Sequence, residues 1–341
     1  MKNGRSLSDI LVTGGLGFIG SNFIRFVLNS TDTAPNIVNL DSVSYGSNPQ
    51  NLSDIATSAG YRFVRGDTTD KDLVQTLLNE AELVVHFAAE THVDRSISAP
   101  ESFLHSNVLG TFSLLEACRK SNVKRFVHIS TDEVYGSSSI DASFTEQDRL
   151  QPSSPYAASK AAADMFVQAY HKTYGLNTVT LRCTNNFGPY QFPEKFIPKS
   201  IINSLLGRSI PVYGSGKQVR DWIYVLDFCK AIKLAMEKGR SGTVYNVSAG
   251  NEIPNVEVAN LIVRKLNRSD KLIHFVEDRP AHDFRYSLDS SRTREELGWK
   301  PDHAFRDALE RTIDWYFENQ SWWRPLITDE ILSPSPWKEK W

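Results

Sequence analysis

Cysteine is scarce in this chain: Cys118, Cys183 and Cys229 are the only three among 341 residues. They are far apart, odd in number and set in apolar surroundings. That argues against a disulfide framework or a cysteine-based metal site and points to buried thiols in a reducing compartment. No run is long and apolar enough to span a bilayer. The opening MKNGRSLSD has no apolar core ahead of the first strand-like run, so no secretory signal is expected. Neither sign of charge dominates, with 38 Lys and Arg against 40 Asp and Glu for a formal net charge of −2. Without a basic block a nucleic-acid groove is not indicated. Internal repeats and low-complexity tracts are absent too. What remains is an ordinary globular mixture, 40% hydrophobic and 23% charged. The expectation is a soluble cytoplasmic protein of one large or two unequal domains, with no membrane or nucleic-acid partner and no metal.

Short β-branched apolar runs recur at DILVTG (9–14), NIVNLD (36–41), YRFVRGD (61–67), ELVVHFAA (82–89), KRFVHIST (124–131), NTVTLRC (177–183) and TVYNVS (243–248). Most are apolar on both faces, as strands of a parallel sheet covered by helices must be. Helical patterns lie between them at 18–30, 69–80, 102–121 and 154–174. Strand–helix alternation with short links predicts right-handed crossovers and a doubly wound α/β sheet. From Asn186 onward Pro, Gly and aromatics become frequent, and helical segments follow at 194–207, 255–266 and 303–319. The reading is therefore a cofactor-binding sheet domain over 1–185, with a return strand expected near 243–248. A smaller C-terminal α/β substrate-binding domain follows over 186–341. The aromatic tail SWWRPLITDEILSPSPWKEKW (321–341) carries three prolines and has no assigned role.

Three local patterns carry chemistry. TGGLGFIG (13–20) follows the first strand and opens the first helix, placing Gly14, Gly17 and Gly20 three residues apart. Glycine there allows a tight turn, close approach of a pyrophosphate, and packing of helix on strand, with the unpaired N–H groups of the helix facing the phosphates. A plain strand–helix turn would use the same residues. Asp41 strengthens the dinucleotide reading, because an acid about twenty residues on can accept from the adenosine ribose hydroxyls and would repel a 2′-phosphate, favouring NAD over NADP. Asp67 suits the adenine edge, or caps the helix at 69–80. The second pattern is SPYAASKAA, where Tyr156 and Lys160 share one helix face. A lysine beside a phenol favours phenolate, which can take a proton from a sugar hydroxyl while hydride leaves for the nicotinamide. The third is STDEVYG (130–136), where Asp132 and Glu133 leave a strand end side by side. Two like charges there make a poor turn. They make a good acid–base pair, since proximity disfavours double ionisation.

Together TGGLGFIG, HFAAETHVDRS (86–96), STDEVYG, YAASK, RCTNNFGPYQFPEKFIP (182–198), VRDWIYV (219–225) and EDRPAHDFRY (277–286) resemble the extended short-chain dehydrogenases/reductases, and more narrowly their dTDP-glucose 4,6-dehydratases. The resemblance implies a Rossmann-type sheet, NAD held through the cycle, and a nucleotide-sugar substrate, dTDP-glucose. Oxidation at C4 acidifies C5; a base takes the C5 proton and an acid protonates the departing C6 hydroxyl, after which hydride returns to C6. By resemblance Asp132 is the acid, Glu133 the base and Thr131 a sugar contact, with Tyr156 and Lys160 serving C4 and the cofactor. It adds Phe18, Ile19, Ser44, Thr68, Ala88, Ala89, Ser106 and Asn186 to the cofactor set, and Thr91 to both cofactor and sugar. His92 becomes a sugar-pocket residue, or a structural imidazole. Asn185 and Arg220 become diphosphate ligands, unless Arg220 simply pairs with Asp221; Asn255, Arg279 and His282 serve the same end, and Lys195, Pro211 and Tyr213 the base.

Some positions depart from the usual pattern: Thr91 for Ser, Leu226 for an acid, Ala281 for Gly, and Ser215 and Lys217 near the base. They leave open a UDP-sugar substrate. An NAD-binding regulator without turnover is the reading from another class, and it has no use for the acid pair. The resemblance also implies a homodimer joined through helices 102–121 and 154–174.

Overall fold

The computed structural model describes residues 9–29 and 35–340; the opening MKNGRSLS, Ser30 at the end of the first expected helix, and the final Trp341 of the tail lie outside them. The strands are β1 (Ile10–Thr13), β2 (Ile37–Asp41), β3 (Tyr61–Arg65), β4 (Leu83–His86), β5 (Arg125–Thr131), β6 (Thr178–Cys183), β7 (Asn185–Phe187), β8 (Ile210–Tyr213), β9 (Val219–Tyr224), β10 (Thr243–Val247), β11 (Glu252–Pro254) and β12 (Ile273–Val276). The helices are α1 (Phe18–Asn29), α2 (Lys71–Leu78), α3 (Val93–Ser98), α4 (Glu101–Phe103), α5 (Gly110–Arg119), α6 (Pro155–Tyr174), α7 (Phe196–Leu206), α8 (Val225–Lys238), α9 (Asn255–Lys265), α10 (Ser291–Leu297), α11 (Phe305–Glu318) and α12 (Gln320–Trp323).

Seven strands form one sheet in the order β10-β6-β5-β4-β1-β2-β3, and every pairing is parallel. Strands β1, β2, β6 and β10 are buried along their whole length, which is why their sequences are apolar on both faces. The chain order reverses between β1 and β4. In a sheet wound both ways from such a point, the crevice beyond the carboxyl ends of those strands is where a ligand fits. Helices α1 and α8 cover one face around Phe23, Ile24, Phe228 and Ile232. Helices α2, α5 and α6 cover the other around Leu77, Leu114 and Val167. The second, smaller core gathers α7, α9 and α11 against the three-stranded sheet β11-β9-β7, around Ile201, Trp222, Ile262 and Ile313. Strand β8 pairs with β12 beside it.

The single helix expected over 102–121 is three segments. Between α4 and α5 the residues Leu104–Leu109 form a π-type stretch. Its extra residue re-aims Ser106 and Asn107, and such bulges concentrate at functional sites. Asn107 is 1% exposed and bonds Glu90 and Ser159, tying this helix to α6 and to the loop after β4.

Candidate active site

The turn after β1 shows why glycine stands there. Gly14 has φ +72°, and a Cβ on it would lie 2.6 Å from the Ala88 nitrogen. Gly20 would drive a Cβ into the Gly14 carbonyl. Gly17 differs, because a Cβ there would meet only the Gly14 oxygen at 3.3 Å. Packing presses on position 17 less than on 14 or 20, and its bareness also serves the open side of the turn. Helix α1 carries no acid in its first turn, so no side chain of its own competes for an anion at its start. The cradle fits a dinucleotide pyrophosphate. Asp41 is 4% exposed and accepts from the Leu16 nitrogen (2.9 Å), the Val43 nitrogen (2.8 Å) and the Ser47 hydroxyl (2.9 Å). Burial raises its pKa while these bonds oppose the rise. Asp67 takes the nitrogen and hydroxyl of Thr69. It does not cap α2; that is done by Asp70, which accepts from the Leu73 nitrogen.

A cleft opens beyond these strand ends. It brings together every cofactor position expected from sequence: Gly14, Gly17, Phe18, Ile19, Gly20, Asp41, Ser44, Asp67, Thr68, Ala88, Ala89, Thr91, Ser106, Tyr156, Lys160 and Asn186. Thr131, Asp132, Glu133, His92, Asn185 and Lys195 line the same cleft.

The acid pair follows β5 directly. Thr131 caps the turn Asp132–Tyr135: its hydroxyl accepts from the Glu133 nitrogen (3.3 Å) and donates to Asp132 Oδ1 (3.1 Å). Asp132 is 3% exposed and its Oδ2 has no partner. Burial and then the Glu133 charge push its pKa well above the carboxylate range. Glu133 is raised by burial as well, but Arg279, Arg220 and Lys195 pull it back. The environments thus separate the two carboxyls: Asp132 is the one that keeps its proton.

Helix α6 starts at the Ser154 cap, whose hydroxyl accepts from the Ala157 nitrogen (3.1 Å). Tyr156 on its first turn is buried, with the edge of its ring against Phe103 at 6.3 Å. Burial, then Glu133 and Cys183, raise its phenol well above the ordinary value, with the Thr131 hydroxyl pulling the other way. The sequence expectation of a phenol depressed by Lys160 is not what the geometry gives. Lys160 donates to the Ile129 carbonyl (2.7 Å) and is itself lowered to about 8, since burial outweighs the attraction of Asp164. Below it Asp164 is fully buried against Arg182 (2.7 Å) and His128 (3.3 Å).

Six expected substrate residues stand outside this cleft: Pro211, Tyr213, Arg220, Asn255, Arg279 and His282. Two of them meet at Asp94, which accepts from Tyr213 Oη (2.8 Å) and Arg279 Nη1 (2.8 Å) and is held down to about 2, since Arg279 and His92 overcome its burial. Arg220 donates to the carbonyls of Val219, Phe284 and Asp283 and lies 4.2 Å above the Tyr286 ring. It does not pair with Asp221, which is occupied by Ser248 (2.5 Å) and the Asn251 nitrogen (2.6 Å). Asn255 Oδ1 and Arg279 Nε are buried without partners. Ser215 and Lys217 are exposed and do not line the cleft described above. Ala281 has φ +51°, a region where glycine is at ease. Ala281→Gly is expected to raise the thermal midpoint by about 1–2 °C, the strain relieved outweighing the entropy glycine adds to the unfolded chain; a scanning calorimeter that records a fall would show the loop carries no such strain.

Residues the sequence reading passed over complete the site. Glu194 accepts from Tyr45 Oη (2.6 Å) and lies 3.1 Å from His92 Nδ1. Burial lowers His92 to about 4, which keeps it neutral. Arg95 covers the Tyr45 ring at 3.7 Å and pairs with Glu90 at 3.0 Å. Lys195 donates to the Thr91 carbonyl (2.7 Å). Glu194 and Asp94 both sit inside motifs already quoted, QFPEKF and HVDRS, and adjacency to Lys195 and His92 was the available signal. Among the described residues no group of three or more His, Cys, Asp or Glu is arranged to hold a metal ion, and no helix is long and apolar enough to cross a membrane.

Comparison with known proteins places these features. The family model described as GDP-mannose 4,6 dehydratase matches residues 11–312. A dTDP-glucose 4,6-dehydratase of Streptomyces niveus is 47% identical over 330 residues, covering 96% of this chain and 98% of that one. Among solved structures, a dTDP-glucose 4,6-dehydratase from Streptomyces venezuelae with NAD and dTDP bound superposes with a TM-score of 0.91 at 45% identity, covering 94% of this chain and 100% of that one. A UDP-N-acetylglucosamine 4-epimerase from Methanobrevibacter ruminantium has a TM-score of 0.83 at 30% identity, with 91% and 98% covered.

Proposed function

Since the chain belongs to the GDP-mannose 4,6 dehydratase family, we propose the route by which its residues act: it is an NAD-dependent hydro-lyase that converts dTDP-glucose to dTDP-4-dehydro-6-deoxyglucose and water. The observation that carries this reading is the pair of adjacent carboxyls after β5, Asp132 buried and Glu133 half-buried, held in different environments in the cleft that Tyr156 lines. An oxidoreductase that stopped at the ketone would need only Tyr156 and Lys160.

The glycine cradle after β1 and Asp41 would hold NAD, which would supply a hydride acceptor and donor for the sugar and positive charge that favours a phenolate nearby. Tyr156 takes the C4 hydroxyl proton. The resting site keeps that phenol protonated, so it is a poised group whose base form appears only when positive charge gathers around it. Lys160, anchored by one N–H to Ile129, keeps two donors for the ribose and the phenolate. Glu133 is ionised more readily than Asp132 and removes the C5 proton made acidic by the ketone; Asp132 hands its proton to the C6 hydroxyl as water leaves. Arg220 and Arg279 bind the diphosphate, for which paired N–H donors are suited.

The test is dTDP-glucose carrying deuterium at C4, with UDP-glucose and UDP-N-acetylglucosamine alongside. The expected product is the 4-keto-6-deoxy sugar of dTDP with the label at C6 and no net reductant used. Turnover of a UDP-sugar alone, or label lost to solvent, overturns the proposal.

The active unit is proposed to be a homodimer. Leu104, Leu109, Met165 and Phe166 are exposed apolar side chains on the two helical faces around α5 and α6, with Leu104 60% and Met165 64% exposed. Sedimentation at twice the chain mass is expected; a monomer at micromolar concentration would refute it.

A further inference from the structure

The tail that sequence left without a role runs to the base end of the site. Ile331 and Leu332 are buried in the smaller core. Lys199, buried on α7, donates to the Ser333 carbonyl (3.2 Å), and the Ser333 hydroxyl binds Glu339 Oε1 (2.8 Å). Between these anchors the turn Pro336–Lys338 packs against α3, and Lys338 pairs with Glu277 at 2.5 Å. Trp337 is 8% exposed. Its ring meets Tyr213 at 5.0 Å and 86°.

Tyr213 is the last residue of β8, in register with Val276 of β12, so it stands beside the loop that carries Arg279 and His282. Its hydroxyl is fixed by Asp94 at 2.8 Å, and His282 meets its ring at 6.0 Å and 75°. With its Cβ on β8 and its hydroxyl on Asp94 both ends of the ring are held, and the freedom that remains is rotation about its long axis. Trp337 supplies the lateral contact that stops this, on a segment tied to α3 and α7.

We propose that Trp337 is a positioning residue for nucleotide binding: the C-terminal segment closes the base end of the site and holds Tyr213 as a platform on which the nucleobase stacks. The inference rests on the function argued above only for the nucleotide end of its substrate. Because stacking tolerates any base, loss of the platform weakens thymidine and uridine nucleotides alike. Because the base lies at the far end of the substrate from the reacting carbons, the loss falls on KM and not on the chemical step.

The experiment uses the full-length holoenzyme, with bound NAD content as the control for folding. Trp337→Ala is expected to weaken calorimetric binding of dTDP and of UDP by the same factor of about tenfold, a shift of about 1.4 kcal/mol, and to raise KM for dTDP-glucose by a similar factor while kcat moves less than about twofold. Inorganic diphosphate should bind as before. Trp337→Phe restores most of the affinity, and a chain ended after Ser335 reproduces the alanine variant. Unchanged dTDP affinity in both the alanine variant and the shortened chain overturns the inference, as does a loss that also falls on inorganic diphosphate. A wild-type enzyme that shows the dTDP effect yet fails to turn over dTDP-glucose sinks the function above and leaves this inference standing.

Discussion

Glu133→Gln is expected to stop the enzyme halfway, with its cofactor reduced. Oxidation at C4 needs no base at C5, so the first step proceeds. Glu133 is among the charges that hold the Tyr156 phenol high, and a neutral amide removes that influence, so hydride transfer should be no slower than in wild type. The C5 proton then has no acceptor. Glutamine keeps the length and the capping hydrogen bond from the residue 133 nitrogen to Thr131, so the turn survives. Overall turnover should fall by about 10²–10⁴, the usual range for loss of a general base. Mixed with dTDP-glucose in a stopped-flow spectrophotometer, the variant should show reduced-nicotinamide absorbance rising to one equivalent per site and persisting. Wild-type turnover would place the base elsewhere. A variant inactive with fully oxidised cofactor would move Glu133 to the first step.

What sequence could show of this site depended on how far apart the participating residues lie. The glycine turn, Asp41, the Tyr156–Lys160 pair and the Asp132–Glu133 pair are local patterns whose geometry follows from one strand end or one helix turn, and all converge on one cleft. Asp94 reaches Arg279 across 185 positions and Tyr45 reaches Glu194 across 149. Such pairs are made by tertiary packing, and no local period announces them. The strands of the main sheet were visible because burial on both faces removes polar residues from them. Helix α8 was not, because it starts directly at the end of β9 with Val225 and Leu226, and the apolar run reads through the junction. Its buried Asp227 could have marked the start: it binds His303 and the Asp302 nitrogen instead of facing solvent. The π stretch at Leu104–Leu109 leaves no periodic trace over six residues.

Tyr156 and Lys160 line one cleft, but the reading of their electrostatics was incomplete. From spacing alone, one cation beside one phenol suggests a depressed pKa. The structure adds the desolvation of a buried ring and two carboxyls nearby, and these outweigh the lysine, whose hydrogen bond goes to the Ile129 carbonyl. A protonated resting phenol has a use here. A permanent phenolate beside Glu133 would place two anions side by side in a largely buried setting, a repulsion that added positive charge must offset.

Tyr156→Phe is the complementary expectation, with the opposite cofactor state. Phenylalanine keeps the ring and its edge contact with Phe103, so folding and NAD content should hold. Removing the hydroxyl removes the acceptor for the C4 proton, so the ketone does not form and the cofactor stays oxidised. Loss of turnover by about 10²–10⁴ is expected. The sign of the pH dependence gives an independent check. The phenol lies above its ordinary value, so its base form grows as pH rises, and the single-turnover rate of nicotinamide reduction in wild type should increase with pH through neutrality. The residual rate in the variant should lose that limb, since no phenol remains to titrate. If reduced cofactor accumulates in the phenylalanine variant as it does in Glu133→Gln, the C4 proton is taken by another group, and Lys160, lowered to about 8 and on the same helix face, is the first to test.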